Sequence, residues 1–177
     1  WKSNGYRLPT EAEWEKAARG GLVGKQFPNG DTLTEKDANF AGAGTVEVGK
    51  YPKNGYGLYD MAGNVWEWCW DWYDSEKLGV DDPRGSETGT SRVLRGGSWS
   101  TGAANCSLAN RDYYSPGSRS YSIGFRLARG SIQTRQGVAM GERSEGRAEA
   151  ERGEVRKELL TGATSHPPHL KWEQPHS

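Results

Sequence analysis

Residues 64–73 read NVWEWCWDWY, with tryptophans at positions 66, 68, 70 and 72. A period of two is the period of a β-strand, whose successive side chains leave opposite faces of the sheet. All four indoles then share one face, and Glu67, Cys69 and Asp71 share the other. Such a row can be a sugar-stacking platform, but aromatic rows more often form the packing layer of a core, and the indole face is taken as the core face. The rest of the chain suits an irregular β fold. Hydrophobic residues make up only 33%, mean hydropathy is −0.89, and there are 25 glycines and 8 tryptophans. This is poor material for a helical bundle and good material for aromatic slabs set among many turns. A length of 177 residues implies one domain with its own core.

Outward from the tryptophan strand, PNGD at 28–31 and KNGYG at 53–57 carry turn chemistry. Further strand-like runs lie at Ser91–Leu94 and Ile123–Leu127. The segment YRLPTEAEWEKAARGG predicts a helix with both ends marked. Thr10 caps it, Glu13 completes a capping box, Pro9 can staple against Trp14, and Gly20 and Gly21 stop it. Trp14, Ala17 and Ala18 give that helix one inward face.

After Arg129 the composition shifts to Gly, Ser, Arg, Glu and Pro, which predicts a polar, disordered tail over 130–177 with a fraying helix at Glu149–Leu160. All three histidines, His166, His169 and His176, fall in that tail. A Ser-His-Asp triad or a His-ligated metal within 1–129 is therefore excluded by composition. Lys+Arg and Asp+Glu both number 23, so no global field draws the chain to nucleic acid or an anionic membrane. No apolar run approaches the roughly 20 residues that span a bilayer. The two cysteines, Cys69 and Cys106, are too few for a disulfide framework and leave the redox compartment open. Opening on Trp1, the chain reads as a piece of something longer.

YRLPTEAEWEKAARGG, NGYGLYDMAGNVWEWCWDWY, RVLRGGSW and IGFRLAR, in that order, closely resemble the formylglycine-generating-enzyme family, also called the sulfatase-modifying-factor family. The resemblance runs from Tyr6 to about Arg129, the C-terminal portion of the family domain. It implies an α+β, C-type-lectin-like fold that is loop-rich, with short strands and few helices. The front of the family domain would precede Trp1, leaving an unpaired strand edge near the closing strand.

The resemblance also implies structural calcium. A family calcium loop maps onto DMAGNVWE, assigning the side chains of Asp60 and Glu67 and the carbonyls of Gly63 and Val65, a donor set that suits a hard cation. The alternative is that Asp60 and Glu67 are solvated or paired with Arg95 or Arg126. A second family site begins at Asn39 and Phe40, but its later carboxylate loop is shortened in AGAGTVEVGKYP, and no ion is assigned there.

Enzymatic members of the family use two cysteines, five apart after the RGGS motif, to bind copper and activate oxygen. Here the second position is Cys106 but the first is Thr101, and one thiolate beside a hydroxyl is a poor Cu(I) site. Copper is accordingly not expected, and Cys106 is catalytic only if the chain is an enzyme. Both cysteines read as small buried hydrophobes. A fragment of a formylglycine-generating oxidase, or of an iron-dependent sulfoxide synthase, is the alternative to a binding protein.

A third branch of the family comprises the variable proteins of diversity-generating retroelements, which display a hypervariable ligand-binding face. Residues 95–129 read as a constant frame interrupted by Ser, Tyr, Gly, Asp, Thr and Asn, residues reachable from an Asn codon by changing its adenines. They also make adaptable binding surfaces. The expected patch is Ser100, Thr101, Gly102, Asn105, Ser107, Asn110, Asp112, Tyr113, Tyr114, Ser118, Ser120, Tyr121 and Ser122, facing a protein or other macromolecular ligand. Trp99, Arg111, Arg119, Phe125 and Arg126 are expected to hold it as buried or hydrogen-bonded frame residues. A display protein of this kind is expected at the cell surface or outside the cytoplasm.

Overall fold

The computed structural model describes residues 5–74, 86 and 88–130. Apart from Gly130, the predicted tail, its fraying helix and its three histidines lie outside those residues.

The predicted helix forms as α1, Glu11–Arg19. Thr10 is extended and accepts from the Glu13 backbone N–H, while the Glu13 carboxylate accepts from the Thr10 N–H, so both halves of the capping box are made. Gly20 ends the helix in the left-handed conformation at φ 56°, where a side chain would collide with the backbone of Gly55. Asn54 locks that end: its Nδ2 donates to the carbonyls of Ala17 and Ala18, and its Oδ1 accepts from the N–H groups of Tyr56 and Leu58.

Four strands form the main sheet in the order β4-β3-β2-β5. They are β2 (Trp66–Trp72), β3 (Arg92–Arg95), β4 (Asp112–Tyr114) and β5 (Ile123–Gly124). β3 runs antiparallel to both β2 and β4, and β5 runs parallel to β2. The β2–β3 register shifts between Trp68 and Trp72, marking an irregularity that bends the strand. The closing strand β6 (Ala128–Arg129) pairs antiparallel with β1 (Tyr6–Arg7), so its edge finds a short partner within the chain. A 3-10 turn occupies Ala103–Cys106. The described residues thus form a loop-rich fold of short strands with one α-helix.

The indole face of β2 is not the core face. Glu67, Cys69 and Asp71 on the opposite face are almost fully buried, and Cys69 packs in the main core with Trp14, Ala17, Ala18, Leu58, Met61, Val93 and Leu108. Trp66 is buried, Trp68 and Trp72 are half-buried, and Trp70 is exposed. The reason is α1, which lies on the Glu67 face and satisfies its polar groups. The Trp14 indole N–H donates to Glu67, and the Glu11 backbone N–H donates to Asp71. A carboxylate-bearing face can be the interior one when a helix supplies donors and its own indole supplies the packing. On the other face Arg92 stacks over the rings of Trp70 and Trp72, which shields part of them from water.

Candidate functional site

Segment 95–129 is held from behind by three buried or half-buried arginines. Arg95 is completely buried: Nη1 donates to the Asn110 carbonyl, and Nη2 donates to the Leu108 carbonyl and to Glu15, each at 2.6 Å. Arg111 grips Glu11 with Nε and Nη2, at 2.6 and 2.9 Å, and donates to the Asp74 carbonyl. Arg126 grips Glu67 with Nε and Nη2, at 2.5 and 2.7 Å, and reaches the carbonyls of Tyr59 and Asp60. Burial opposes the charge on Arg111 and Arg126, but the paired carboxylates outweigh it and raise both guanidinium pKa values. Each fork is bidentate, the geometry that fixes direction as well as distance. Arg111 and Arg126 are hydrogen-bonded, as expected. Arg95, which opens the RGGSW run at the end of a buried strand, is engaged in the same way.

Two expected frame residues behave otherwise. Arg119 is exposed, and Phe125 is 63% exposed. The short β5 ends at Gly124, so the alternation that would bury Phe125 is not continued. Trp99 is half-buried; its N–H donates to the Asn64 carbonyl, and its own carbonyl accepts from Gly42. Asn64, at φ 63°, bonds through its side chain to Asn39 and Val46, so one left-handed residue ties the 39–46 loop to Trp99.

All thirteen predicted patch residues are exposed or half-exposed. They do not form one cluster. Ser100 and Thr101 lie beside Trp99, whose ring meets Tyr121 at 5.6 Å, and Ser120 and Ser122 share a hydroxyl contact on that side. Tyr113 and Tyr114 sit on β4, at the far edge of the sheet from β5, three strand spacings or roughly 14 Å away. Being adjacent in a strand, they point to opposite faces: Tyr113 is paired with Val93 and meets Tyr73 at 4.2 Å, and Tyr114 is paired with Arg92. Gly102, Asn105, Ser107 and Asn110 follow one another through turn bonds along the 3-10 turn and its exit. Asp112 turns its carboxylate onto the Tyr113 N–H, and Ser118 closes a turn onto the Ser115 carbonyl. The surface is therefore a band with one centre at Trp99–Tyr121 and another at the β4 edge.

Two of the residues assigned to calcium, Glu67 and Asp60, turn their carboxylates to donors of the protein. Both Glu67 oxygens are engaged by Arg126, and Oε2 also accepts from Trp14. Asp60, at φ 54°, turns Oδ2 onto the Gly49 N–H, and burial raises its pKa. Gly63, at φ 75°, donates its N–H to the Gly96 carbonyl and lies against the Asn39 backbone, where a side chain would meet the Asn39 carbonyl at 2.3 Å. The guanidinium of Arg126 thus takes the place of a cation on Glu67, the pairing alternative recognised in the sequence. Both carboxylates of the donor set assigned to calcium are engaged by protein donors.

Cys69 and Cys106 are both buried free thiols. Burial pushes the Cys106 pKa up to about 11 and that of Cys69 well above the usual thiol range. Thr101, at the first copper position, spends its hydroxyl on Ser98, donating to its carbonyl at 2.9 Å and accepting from its N–H at 3.0 Å. Among the described residues no group of three or more His, Cys, Asp or Glu side chains could hold a metal ion.

An irregular sheet with one capped helix, Gly96 and Gly97 behind a buried arginine, and a left-handed DMAGN turn define the formylglycine-generating-enzyme type of fold. Residues 1–131 match the family described as the Sulfatase-modifying factor enzyme 1-like domain, and the chain belongs to that family. The chain is 45% identical over 130 residues to the Serine/threonine-protein kinase pkn1 of Chlamydia pneumoniae, covering 71% of this chain and 21% of that one. It is 42% identical over 149 residues to the Formylglycine-generating enzyme of Thermomonospora curvata, covering 70% of this chain and 49% of that one. Among solved structures, Treponema denticola variable protein 1 superposes with a TM-score of 0.66 at 46% identity, covering 71% of this chain and 48% of that one. The chain thus spans half or less of the length of these relatives.

Proposed function

We propose that this chain is a non-catalytic ligand-binding domain of the family, displaying a variable surface for a protein or other macromolecular partner in the manner of a diversity-generating-retroelement variable protein. One observation carries the reading. Every expected patch residue reaches solvent, while the backbone beneath is tied by Arg95, Arg111, Arg126 and Asn64 to elements outside the segment. Patch side chains can then change without disturbing these ties, none of which runs through a patch side chain. Tyr121, at 79% exposure over Trp99, is the first anchor expected to meet a partner, because an aromatic offers contact area with few rotors to freeze. The similarity to Treponema denticola variable protein 1 supports the same reading. Thr101 stands at the first copper position with its hydroxyl bonded to Ser98, which leaves Cys106 a lone thiol there and argues against copper-dependent oxidation. Balanced charge argues against a nucleic-acid partner. Among the described residues no helix is long and apolar enough to cross a membrane.

The test is genomic. A near-copy of the DNA encoding 95–129 should lie close to the gene, carrying adenines wherever the patch codons differ, with a reverse-transcriptase gene nearby. Absence of the copy, or differences at bases other than adenine, overturns the proposal. Conversion of a Cys-X-Pro-X-Arg peptide to its formylglycine form by the copper-treated protein, abolished in Cys106→Ser, would establish the oxidase alternative instead.

A further inference from the structure

A cleft of about 700 Å³ opens beside α1. Its apolar wall is Leu22, Val23 and Tyr56, with Ala12 and Ala109 completing the floor. Val23 is 92% exposed and Tyr56 53%, side by side along the cleft. The wall is preformed. Leu22 donates its N–H back to the Arg19 carbonyl, and the Tyr56 ring lies 3.5 Å from where a side chain on Gly21 would begin. The turn carrying Tyr56 is bolted to the end of α1 through Asn54, and a side chain on Gly55 would sit 2.2 Å from the Gly20 carbonyl oxygen.

The charged side of the cleft has a definite sign. Glu11 and Glu15 line it, but Glu11 is held by Arg111 and Glu15 by Arg19 and by the buried Arg95. Lys16 also lines it, is exposed, and has no carboxylate at ion-pair distance among the described residues. The neutralised carboxylates still have lone pairs that can accept from peptide N–H groups, and Lys16 leaves one cation unanswered. Apolar wall, acceptors and an unpaired ammonium on one rigid rim suit a segment that presents an aliphatic side chain next to a carboxylate.

We infer that this cleft is a second binding site, distinct from the Trp99–Tyr121 and β4-edge centres, for a short acidic polypeptide segment whose aliphatic side chain seats on Leu22, Val23 and Tyr56 and whose carboxylate pairs with Lys16. Ligands of this size bind such clefts with dissociation constants on the order of 0.1–1 mM.

The test uses the whole chain, isotopically labelled for NMR, titrated with N-acetyl-Leu-Glu, with the uncharged N-acetyl-Leu-Gln amide as control and decanoate as the lipid-like competitor. Saturable shifts should be confined to Leu22, Val23, Tyr56, Ala109 and their neighbours. Lys16→Glu should weaken binding about tenfold with the remaining spectrum intact, and Val23→Asp should abolish it. Tyr113→Ala and Tyr121→Ala should leave it unchanged, which separates this site from the variable surface. No shifts up to on the order of 10 mM, full affinity in Lys16→Glu, equal binding of the uncharged control, or tighter binding of decanoate would each overturn the inference.

Discussion

The patch and the frame beneath it share residues 95–129 but obey opposite physics. Frame side chains are few, charged and engaged: Arg95 and Arg126 each reach a carboxylate and at least two main-chain carbonyls. Patch side chains are small or aromatic and bond mainly within their own loop, as Ser120 does with Ser122 and Asn110 with Asn105. The difference teaches that the placement of the segment rests on main-chain carbonyls captured by guanidinium groups. A captured carbonyl does not depend on the side chain of the residue that carries it, so Leu108 and Asn110 are held through their backbones whatever the neighbouring side chains are.

Breaking the frame should have the largest effect. Glu67→Ala strands the buried Arg126 guanidinium and the Trp14 indole N–H together, and removal of one partner of a buried pair costs about 3–5 kcal/mol. Urea denaturation should register that loss, whereas Tyr114→Ala, exposed at the β4 edge, should cost far less. Equal losses would erase the distinction between the two regions.

A smaller effect lies one turn along β2. Asp71 is 1% exposed, its Oδ1 has no hydrogen-bond partner among the described residues, and burial raises its pKa to about 6. The folded-state value lies above the ordinary carboxylate value, so the native state binds the proton more tightly. The resulting stability is full below about pH 4 and lost as pH rises through about 6, a change of about 3 kcal/mol for this one group. Asp71→Asn should remove that component. Denaturant unfolding of both proteins from pH 4 to 7 checks it, and parallel pH curves would show that Asp71 titrates normally.

The smallest expected effect concerns calcium. With Arg126 on Glu67 and Asp60 turned to Gly49, thermal melts with calcium and with chelator should coincide. A calcium-dependent rise that disappears in Asp60→Ala would show that the ion displaces the guanidinium, and would restore the metal assignment by mass action.

Much of this was legible in the chain. The α1 boundaries followed from Thr10, Glu13 and Gly20 because caps are local chemistry written in adjacent residues. The solvent-facing character of the Ser- and Asn-rich stretches was legible from their polar composition. The inversion of β2 was not. Period two tells which side chains share a face but not which face is inward, and that choice was made by α1 bringing the Trp14 indole and the Glu11 N–H to Glu67 and Asp71. Nor could spacing divide the patch, because the division comes from strand order, which sets β4 and β5 at opposite edges. Arg119 and Phe125 were misassigned because their neighbours Ser118, Ser120 and Gly124 belong to turns and a two-residue strand, where alternation is too short to predict burial.

The central claim is a tolerant surface on an intolerant frame, and surface display of two libraries, sorted for folded protein, tests it most directly. One library randomises the thirteen patch codons together, and the other randomises Trp14, Glu67, Arg95, Arg111 and Arg126. Most members of the first should fold and nearly none of the second, because exposed substitutions each stay within about 0.5 kcal/mol while each frame loss leaves a buried charge or cavity. A patch library that unfolds as completely as the frame library would contradict the account.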